Sequence, residues 1–563
     1  MGSAKETREP GEELMQKVVS LCKRRGFVFQ SSEIYGGLKS AYDYGPLGVE
    51  LKRNLMNEWW RDVVHSRENV MGLESSIIMH PDVWRASGHV AGFSDPLVDC
   101  KLSKERFRTD KAGPVEVESD GRLVMHAPDK AMAKLWAEAV KTQHAPGAKV
   151  EVRDKDVVLH AKEVTPPAGG QAGKIVLAGF DGGPDVEIPY RGYVTPGFNC
   201  PFLSEERTFN LMFRSFLGSV DPLTEVVDAF LANKEKSKPE LRALIETTLA
   251  RSTVYLRPET AQGMFVQFQN CLNSVSMKIP FGIAQMGKAF RNEVTVEHFT
   301  FRSCEFEQME IEFFCEPGTD DRWLEYWKNE RMRWWRQYAN NPDKFVFRQH
   351  AKTELAHYAK DCYDIEYEYP WGFGELEGIA NRTDYDLKKH AEASGQHLVY
   401  TDSARNDPAT GKPPYRFTPY VIEPSGGATR GTLVYLIDAY SEETRKDAKG
   451  EPVVRTVLKL HPRLAPIKVG VFPLVKKDGM PEKAREIVEE FFRAGINSRY
   501  DEQHAIGRRY ARHDEAGTPY CITVDGQTIQ DNTVTIRDRD TTAQERIKIE
   551  EALSVVQARL ARI

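Results

Sequence analysis

Apolar residues recur with helical spacing near the start of the chain. In residues 11–25, Leu14, Val18 and Leu21 lie on one face of a helix. Residues 46–64 carry a second, longer pattern that opens with a proline, as helices often do. On periodicity alone, this second segment is an amphipathic core helix.

A different pattern occupies residues 111–190. Short apolar runs with strand-like alternation are separated by Pro and Gly, and one helical segment lies among them. This pattern predicts a small α+β module. The predicted strands lie near residues 115–117, 149–152, 157–160 and 174–177, and the helix lies near residues 130–140.

After a linker with two prolines at residues 461–466, strand and helix patterns alternate to the end of the chain. Such alternation indicates a three-layer α/β domain. The predicted strands are residues 467–472, 498–500 and 520–524, and the predicted helices are residues 481–494, 506–514 and 542–558.

The centre of the chain contains a strand, a polar loop and a return strand. An apolar run at residues 279–284 leads to Arg291, and side chains alternate in residues 301–314. Arg291 and Arg302 are suited to clamp a nucleotide triphosphate bent over an antiparallel sheet, because planar guanidinium groups meet phosphate oxygens in pairs.

A second arginine-bearing stretch spans residues 423–430. Gly426 and Gly427 stand where the backbone approaches a ligand, and Arg430 precedes a buried apolar run at residues 433–437. This stretch therefore predicts a second set of ligand contacts.

The two stretches match motifs 2 and 3 of class II aminoacyl-tRNA synthetases. Several further segments closely resemble the homodimeric glycyl-tRNA synthetase family, and so many matches in order argue against chance. The closest are residues 40–48, 257–263 and 306–310, with others at 87–89, 93–96, 209–213 and 506–510, and the resemblance runs through most of residues 22–110, 191–440 and 466–563.

The resemblance implies a class II antiparallel-sheet catalytic domain with an α+β insertion, followed by a three-layer α/β anticodon-binding domain of the class IIa type. The helix at residues 46–64 then builds the interface of a homodimer. The insertion reaches toward the tRNA acceptor stem or is a variable surface module. The implied domains are residues 1–110 (catalytic, with motif 1), 111–190 (insertion), 191–460 (catalytic core, with motifs 2 and 3) and 466–563 (anticodon-binding).

The implied activity is that of a ligase, which activates glycine with ATP to glycyl-adenylate and transfers glycine to the 3′ end of tRNA(Gly). Activation is an in-line attack of a carboxylate on the α-phosphorus, so the site needs alignment and charge neutralisation more than proton transfer. Arg291 and Arg430 are the implied catalytic residues. Arg291 would hold the α-phosphate and the glycine carboxylate, and Arg430 the γ-phosphate.

ATP is expected as a substrate together with Mg²⁺. Glu375 and Glu423 are candidates for holding Mg²⁺ through the phosphates, because hard oxygen ligands suit this ion. Cys304 stands where a basic residue is expected in many relatives, and Thr429 stands where an acidic residue is expected. The implied ATP contacts are Arg291, Asn292, Glu293, Phe301, Arg302, Glu305, Phe306, Glu375, Leu376, Gly427, Ala428, Thr429 and Arg430.

Glycine has no side chain to bind, so its selection relies on its ammonium group and on the lack of space for a β-carbon. The resemblance assigns the ammonium to Glu259, Glu310 and Ser425, although each acid is alternatively an ordinary strand-end salt bridge. Overpacking by alanine costs roughly 1–3 kcal/mol. The implied glycine contacts are Arg108, Glu259, Phe306, Glu307, Gln308, Met309, Glu310, Glu423, Ser425 and Gly427.

The chain carries 77 Lys and Arg against 83 Asp and Glu, a formal net charge of −6. The chain therefore has no overall positive charge that would indicate nucleic-acid binding, so tRNA must bind to local patches. Arg508, Arg509 and Arg512 supply one such patch in the C-terminal domain, although a solvated helix face explains the same residues.

The eight cysteines are scattered and form no CxxC pair. We therefore expect reduced, mostly buried thiols and no zinc. No apolar stretch approaches the length of a membrane span, so we expect a cytoplasmic protein without a membrane partner.

Two alternatives stay open. Synthetase-like proteins that have lost catalysis act as nucleic-acid-binding or accessory subunits on the same fold. Retention of six candidate site residues speaks against this alternative, because a non-catalytic relative has no reason to keep them all: Glu259, Arg291, Glu293, Glu310, Ser425 and Arg430. A class IIa synthetase for serine, threonine or proline is the closer alternative, and residues 257–263 and 306–310 favour glycine over these.

Overall fold

The computed structural model describes residues 10–38, 40–169, 171–293, 298–356, 358–446 and 450–561. The chain forms two compact units. The first contains the described parts of Met1–Ser87, Phe213–Arg291 and Val296–Ile563, and the second contains Gly88–Met212 with the described part of Asn292–Thr295. Within the described ranges, no helix has both the length and the apolar character needed to cross a membrane.

A seven-stranded sheet lies at the centre of the first unit. Its spatial order is β4-β5-β6-β7-β3-β2-β1, and neighbouring strands are antiparallel except for the parallel pair β1 and β2. The strands are β1 (Val70–Gly72), β2 (Phe281–Phe290), β3 (Glu305–Cys315), β4 (Phe345–Gln349), β5 (Asp361–Tyr369), β6 (Gly372–Thr383) and β7 (Tyr420–Gly427).

The two faces of this sheet differ because side chains alternate along each strand. On β3, Met309, Ile311 and Phe313 point into the main hydrophobic core, whereas Glu310 and Glu312 point to the opposite face. The helices of this unit include α1 (Pro10–Arg25), α2 (Pro46–Trp60), α3 (Ala261–Val266), α4 (Phe268–Val275), α5 (Asp320–Arg336), α6 (Tyr385–Ser394) and α7 (Ala428–Ala439).

The main core contains buried aromatic side chains from α2, α5 and α7, among them Trp59, Trp335 and Tyr435. The spacing of Leu51, Leu55 and Trp59 places all three on one face of α2. A π-helical turn, Arg61–His65, extends α2, so the predicted helix at residues 46–64 is confirmed.

Smaller elements complete this part of the first unit. They are the helices Pro81–Ala86, Pro222–Ala232 and Lys238–Ala250, and the antiparallel pairs Val28–Gln30 with Tyr42–Tyr44, Arg214–Phe216 with Thr253–Tyr255, Tyr400–Asp402 with Tyr415–Phe417, and Tyr440–Lys446 with Pro452–Leu458.

The C-terminal segment forms a five-stranded mixed sheet in the order β9-β8-β10-β11-β12, with its own hydrophobic core. The three strands and the first two helices predicted there are confirmed. Its elements are β8 (Val469–Pro473), α8 (Met480–Arg493), β9 (Ser498–Tyr500), α9 (Ile506–Glu515), β10 (Tyr520–Val524), α10 (Gly526–Asp531), β11 (Thr533–Asp538), β12 (Gln544–Lys548) and α11 (Ile549–Ala561).

The prediction of one helix over residues 542–558 is wrong in its first half. Residues 544–548 form strand β12, which pairs antiparallel with β11, and the helix begins only at Ile549. β12 is an edge strand with charged side chains at alternate and adjacent positions, a composition that resembles a helix when the partner strand is unknown.

The second unit contains two sheets. Arg207–Asn210, Ser94–Asp99 and Arg106–Arg108 form a three-stranded sheet, and Lys130–Ala139 is the predicted helix. The second sheet contains five strands, Arg122–His126, Val150–Arg153, Asp156–Thr165, Gly173–Leu177 and Val186–Tyr190.

The predicted strand at residues 115–117 is absent from the described structure of this unit. The Val115 N–H donates to the Tyr190 hydroxyl at 2.9 Å, and the Glu116 N–H donates to Asn199 Oδ1 at 2.9 Å. Side chains therefore satisfy backbone groups that a neighbouring strand would otherwise bind.

Candidate active site

One face of the central sheet carries a row of polar residues across five strands. Glu310 on β3 is in register with Ser425 on β7, and Ser425 is in register with Gly378 on β6. Gln285 on β2 extends the row beyond Glu310, and Asp364 on β5 extends it beyond Gly378. Because residues in register project to the same face, the row brings two predicted glycine ligands side by side.

Glu310 is almost completely buried within this row. The Thr260 hydroxyl donates to its carboxylate, and Gln285 Nε2 donates to Thr260 O at 2.8 Å. Burial, reinforced by the nearby Glu259, raises the pKa of Glu310. A cation entering this position would favour the ionised carboxylate, which suits an ammonium group.

Glu259 is held by a buried amide on α3. Gln262 Nε2 donates to Glu259 Oε1 at 2.9 Å and to Asp386 Oδ1 at 3.0 Å. His390 Nε2 lies 2.7 Å from Gln262 Oε1, so a histidine donor orients the amide with its NH₂ group toward both carboxylates. The second predicted ammonium ligand is thus fixed by a network that joins α3 to α6.

Arg382 on β6 is a buried cation of this site. Its Nε and Nη2 donate to the two oxygens of Asp386 at 2.7 and 2.9 Å, and its Nη1 donates to Glu423. The guanidinium carbon lies 4.1 Å from the centre of the Tyr358 ring. The paired fork geometry neutralises part of the negative charge beside the row.

Glu375 and Glu423 do not form a magnesium site together. Glu423 is in register with Ala380, five positions along β6 from Glu375, a separation of roughly 16 Å. Glu423 is bound by Arg382, and Glu375 Oε2 lies 3.1 Å from Arg430 Nη1. Mg²⁺ needs oxygen ligands at about 2.1 Å, so these carboxylates cannot share one ion and each already binds a guanidinium. That either carboxylate holds Mg²⁺ through the phosphates of ATP stays a prediction.

Arg430, near the start of α7, contacts two separate segments. Its Nε donates to Phe301 O at 3.1 Å, and its Nη1 donates to Glu375 O at 3.0 Å. The guanidinium carbon lies 4.6 Å from the centre of the Phe301 ring. The charge of Arg430 lowers the pKa of the Glu375 carboxyl. The guanidinium is therefore held in place between the loop before β3 and strand β6.

Arg291 follows the last residue of β2. Its Nε donates to Pro258 O at 3.1 Å, and its guanidinium carbon lies 5.4 Å from the centre of the Phe306 ring. Its backbone N–H donates to Cys304 O at 2.9 Å, which closes the β2–β3 hairpin. Arg291 consequently contacts the residue directly before Glu259.

The two predicted motifs also contact each other between β3 and β7. Gln308 Nε2 donates to Ser425 Oγ at 3.3 Å, and Gln308 is in register with Gly427. The Glu307 N–H donates to Thr429 Oγ1 at 3.0 Å, which gives Thr429 a structural contact where an acidic residue was expected. The Glu307 carboxylate forms an ion pair with Lys52 on α2.

Three predicted ligand residues have side chains in the hydrophobic core. Met309, Leu376 and Ala428 are fully or almost fully buried in the main core cluster. A contact between any of them and a ligand is therefore limited to the backbone. The other predicted ATP contacts at this hairpin, Phe301, Arg302, Glu305 and Phe306, lie in the loop before β3 and at the start of that strand.

Three predicted residues belong to the second unit. Arg108 forms ion pairs with Asp95 at 2.9 Å and with Asp110 at 2.7 Å, and these carboxylates raise its pKa further. Asn292 and Glu293 follow Arg291 in sequence, and the Asn292 N–H donates to Leu211 O at 2.7 Å. Their ligand roles stay predictions.

The predicted tRNA-binding arginines differ in exposure. Arg508 is exposed, and Arg512 pairs with Asp501 at 2.8 Å. Arg509 is only 3% exposed, and its guanidinium donates to His504 O and Pro473 O. Arg509 is thus part of the packing of the domain, and the prediction that it belongs to a solvent-facing patch is wrong.

Several residues of the site were missed by the sequence reasoning. Gln262, Glu312, Gly378, Arg382 and Asp386 all lie in or beside the polar row. The available signal was the polar run that ends the apolar strand β6, since a charged residue inside such a strand needs a buried partner.

Comparisons with known proteins identify the family of the chain. Residues 468–559 match the family described as "Anticodon binding domain". The chain is 42% identical to a glycine–tRNA ligase of Treponema denticola, with 97% of each chain covered. It is also 42% identical to the glycine–tRNA ligases of Rhodopirellula baltica, covering 97% of this chain and 99% of the relative, and of Clostridium perfringens, covering 98% and 99%. The chain therefore belongs to the glycine–tRNA ligase family.

Proposed function

We propose that the chain is a ligase that activates glycine with ATP to glycyl-adenylate and transfers glycine to the 3′ end of tRNA(Gly). The observation that carries this proposal is the polar row in which the almost completely buried Glu310 faces Ser425. A pocket of this kind binds a small ammonium-bearing substrate, and the family to which the chain belongs has relatives named for glycine.

In the proposed complex, Glu310, Glu259 and Ser425 bind the glycine ammonium. Gly378 leaves the neighbouring position in the row without a side chain, which gives room for the glycine itself. A β-carbon on the substrate would overpack the site, which costs roughly 1–3 kcal/mol.

The proposed activation step is an in-line attack of a glycine carboxylate oxygen on the α-phosphorus of ATP, with pyrophosphate as the leaving group. Arg291 aligns the carboxylate with the α-phosphate and stabilises the developing charge, and Arg430 binds the γ-phosphate. Both guanidinium groups are already anchored to backbone carbonyls, so little reorganisation is needed. Mg²⁺ enters with ATP as part of the substrate.

In the proposed transfer step, a hydroxyl of the terminal tRNA ribose attacks the adenylate carbonyl and AMP leaves. The phosphate of the adenylate accepts the hydroxyl proton. The C-terminal domain contributes binding, for which the exposed Arg508 and the charged side chain of Arg512 are candidates.

The architecture that we propose is that of the homodimeric class IIa synthetases, acting in the cytoplasm. The catalytic domain would comprise residues 1–110 and 191–460, interrupted by the insertion at residues 111–190 and followed by the anticodon-binding domain at residues 466–563. The antiparallel central sheet and the match to an anticodon-binding domain support this arrangement.

Pyrophosphate exchange tests the proposal. ATP is supplied with glycine, alanine, serine, threonine or proline, using the wild type and Glu310→Gln. We expect exchange with glycine alone and its loss in the variant. Exchange with none of the five would favour a non-catalytic accessory protein, and preference for another amino acid would show that the pocket is misassigned.

A further inference from the structure

Glu312 is a buried carboxyl group that the proposed mechanism does not use. It lies two residues beyond Glu310 on β3, on the same face of the sheet, and its side chain has no exposed surface. Neither carboxylate oxygen has a hydrogen-bond partner among the described residues. A buried, ionised carboxylate without partners is too costly to persist, so this group must be neutral or must be compensated.

The groups around Glu312 are mostly acidic. Its carboxylate comes within 4.8 Å of those of Glu310 and Glu423. Asp386 from α6 and Arg382 from β6 are the other charged groups that act on it. Helix α3 also packs beside β3 but has no titratable side chain, and the residue opposite on β2 is Ile283.

One guanidinium therefore faces these four acids and Glu259 as well. Arg382 donates two hydrogen bonds to Asp386 and one to Glu423. Glu310 accepts a hydrogen bond from Thr260. Glu312 is thus the member of the cluster with no stabilised negative charge, and burial beside Glu423 raises its pKa well above the usual range.

We propose that Glu312 holds a proton while the glycine site is empty and releases it when the substrate ammonium binds, so that glycine recognition is coupled to the loss of one proton. The O–H bond of the Glu312 carboxyl breaks, the electron pair stays on the carboxylate, and a buffer base in the solvent accepts the proton. The incoming ammonium replaces the positive charge that leaves. This inference rests on the proposed function.

Through this coupling, Glu312 acts as a positioning residue, because its ionisation sets the negative charge around the ammonium. In the empty site, the proton keeps one more buried negative charge off the sheet. In the occupied site, the ionised group adds to the negative potential that holds the ammonium. A substrate analogue without an ammonium group would leave the proton in place.

Proton release is measured by isothermal titration calorimetry of the full chain in buffers of different ionisation enthalpy. The ligands are glycyl-sulfamoyl adenosine and its glycolyl counterpart, which has a hydroxyl in place of the ammonium. The titration is done at about pH 6.5, where the free α-amino group is already protonated.

For the wild type, we expect the glycyl ligand to release close to one proton more than the glycolyl ligand. For Glu312→Gln, which keeps the shape and neutrality of the protonated acid, we expect the two ligands to release equal numbers. Glu316→Gln, which changes a partly exposed acid just beyond β3, should behave as the wild type.

Equal release by the two ligands in the wild type would overturn the proposal, and so would an undiminished difference in a folded Glu312→Gln. The wild-type comparison decides the matter even if that variant does not fold. Steady-state kinetics give a second readout: the KM for glycine should fall as the pH rises from 6 to 7 in the wild type, by at most about tenfold for one coupled proton, and stay nearly constant in Glu312→Gln.

This outcome is separable from failure of the proposed function. Glycine-dependent pyrophosphate exchange without proton release would leave the ligase activity standing and remove only the role of Glu312. An absence of exchange with every amino acid would instead remove the function on which the inference rests.

Discussion

Ser425 lies directly opposite Glu310 on the antiparallel pair β3 and β7, and Gln308 donates to its hydroxyl at 3.3 Å. The hydroxyl is thereby placed between an amide donor and the acid proposed to bind the ammonium. For Ser425→Ala, we expect the KM for glycine to rise about 10–100-fold, as for the loss of a hydrogen bond with a charged group. The KM for ATP should change little. Pyrophosphate exchange at varied glycine and ATP measures both, and an equal rise in both constants would contradict a specific role for Ser425.

Gly378 offers a steric test of the same row. An added β-carbon would meet Asp364 Oδ1 at 3.8 Å as its nearest atom, which is ordinary contact, so Gly378→Ala should fold normally. The new methyl group would project beside Ser425, where the substrate is proposed to lie. We expect glycine-dependent exchange to fall at least tenfold, since overpacking costs roughly 1–3 kcal/mol. Thermal unfolding is the control, and normal glycine kinetics in the folded variant would place the substrate elsewhere.

Beneath the sheet, Arg331 and Glu377 form an ion pair at 2.8 Å in which neither side chain is exposed. Trp335 Nε1 also donates to Glu377. For Arg331→Met, we expect a loss of roughly 3–5 kcal/mol in the free energy of unfolding, because Glu377 is left buried without its counter-ion. Denaturant unfolding of Arg331→Met, Glu377→Gln and the double variant forms a double-mutant cycle. Additive losses would show that the pair does not act as a unit.

Substitutions of two adjacent arginines on α9, Arg508 and Arg509, should have different effects. Arg508→Ala removes an exposed charge, so we expect weaker tRNA aminoacylation and unchanged pyrophosphate exchange. The slope of the logarithm of the tRNA binding constant against the logarithm of the salt concentration should become shallower by about one. Arg509→Ala removes the donor from the buried bond to Pro473 O and from the partly buried bond to His504 O, so we expect a loss of about 1–3 kcal/mol in stability. Arg493→Ala, an exposed charge on α8, is the matched control. Equal effects of the first two variants on tRNA kinetics at unchanged stability would contradict this division.

His513 makes the C-terminal domain sensitive to acid. The imidazole is 3% exposed, and burial lowers its pKa to about 3, although Asp501 acts in the opposite direction. Below pH 6.5, the unfolded chain binds a proton that the folded chain does not. Stability is therefore present above pH 6.5 and is lost as the pH falls toward 3, by roughly 2 kcal/mol at pH 5.

For His513→Gln, we expect a smaller drop in the unfolding midpoint between pH 7 and pH 5 than for the wild type. Unfolding followed by circular dichroism measures both. His461, whose pKa burial lowers to about 4, acts in the same direction and accounts for part of the remaining slope. An unchanged pH dependence in His513→Gln would show that this histidine is not the source.

The sequence predicted those parts of the fold that local patterns determine. Strand β10 and helix α8 follow from apolar spacing within one segment. Strand β12 does not, because its conformation depends on pairing with β11. Pairing between distant segments is a tertiary interaction, and it overrides local propensity in an edge strand.

Candidate site residues could be predicted from the sequence where they belong to a known motif. They could not be predicted where their role depends on a partner that only the fold brings close. Arg291, Glu310 and Arg430 stand in recognisable stretches, and the structure brings their segments together. Arg382 and Asp386 were invisible because their importance arises from mutual burial. Arg509 shows the reverse error, since a basic residue in a basic run is buried against carbonyl groups that no sequence pattern reveals.

Alternate positions on strands β3 and β6 have two different functions, substrate binding and core packing. Glu310 and Gly378 face the proposed substrate, and their neighbours Met309 and Glu377 belong to the packed interior. A substitution in the interior is therefore transmitted along the backbone to the pocket without crossing any flexible joint. For evolution, this means that selection for folding and selection for the proposed glycine specificity act on the same few peptide units of these two strands.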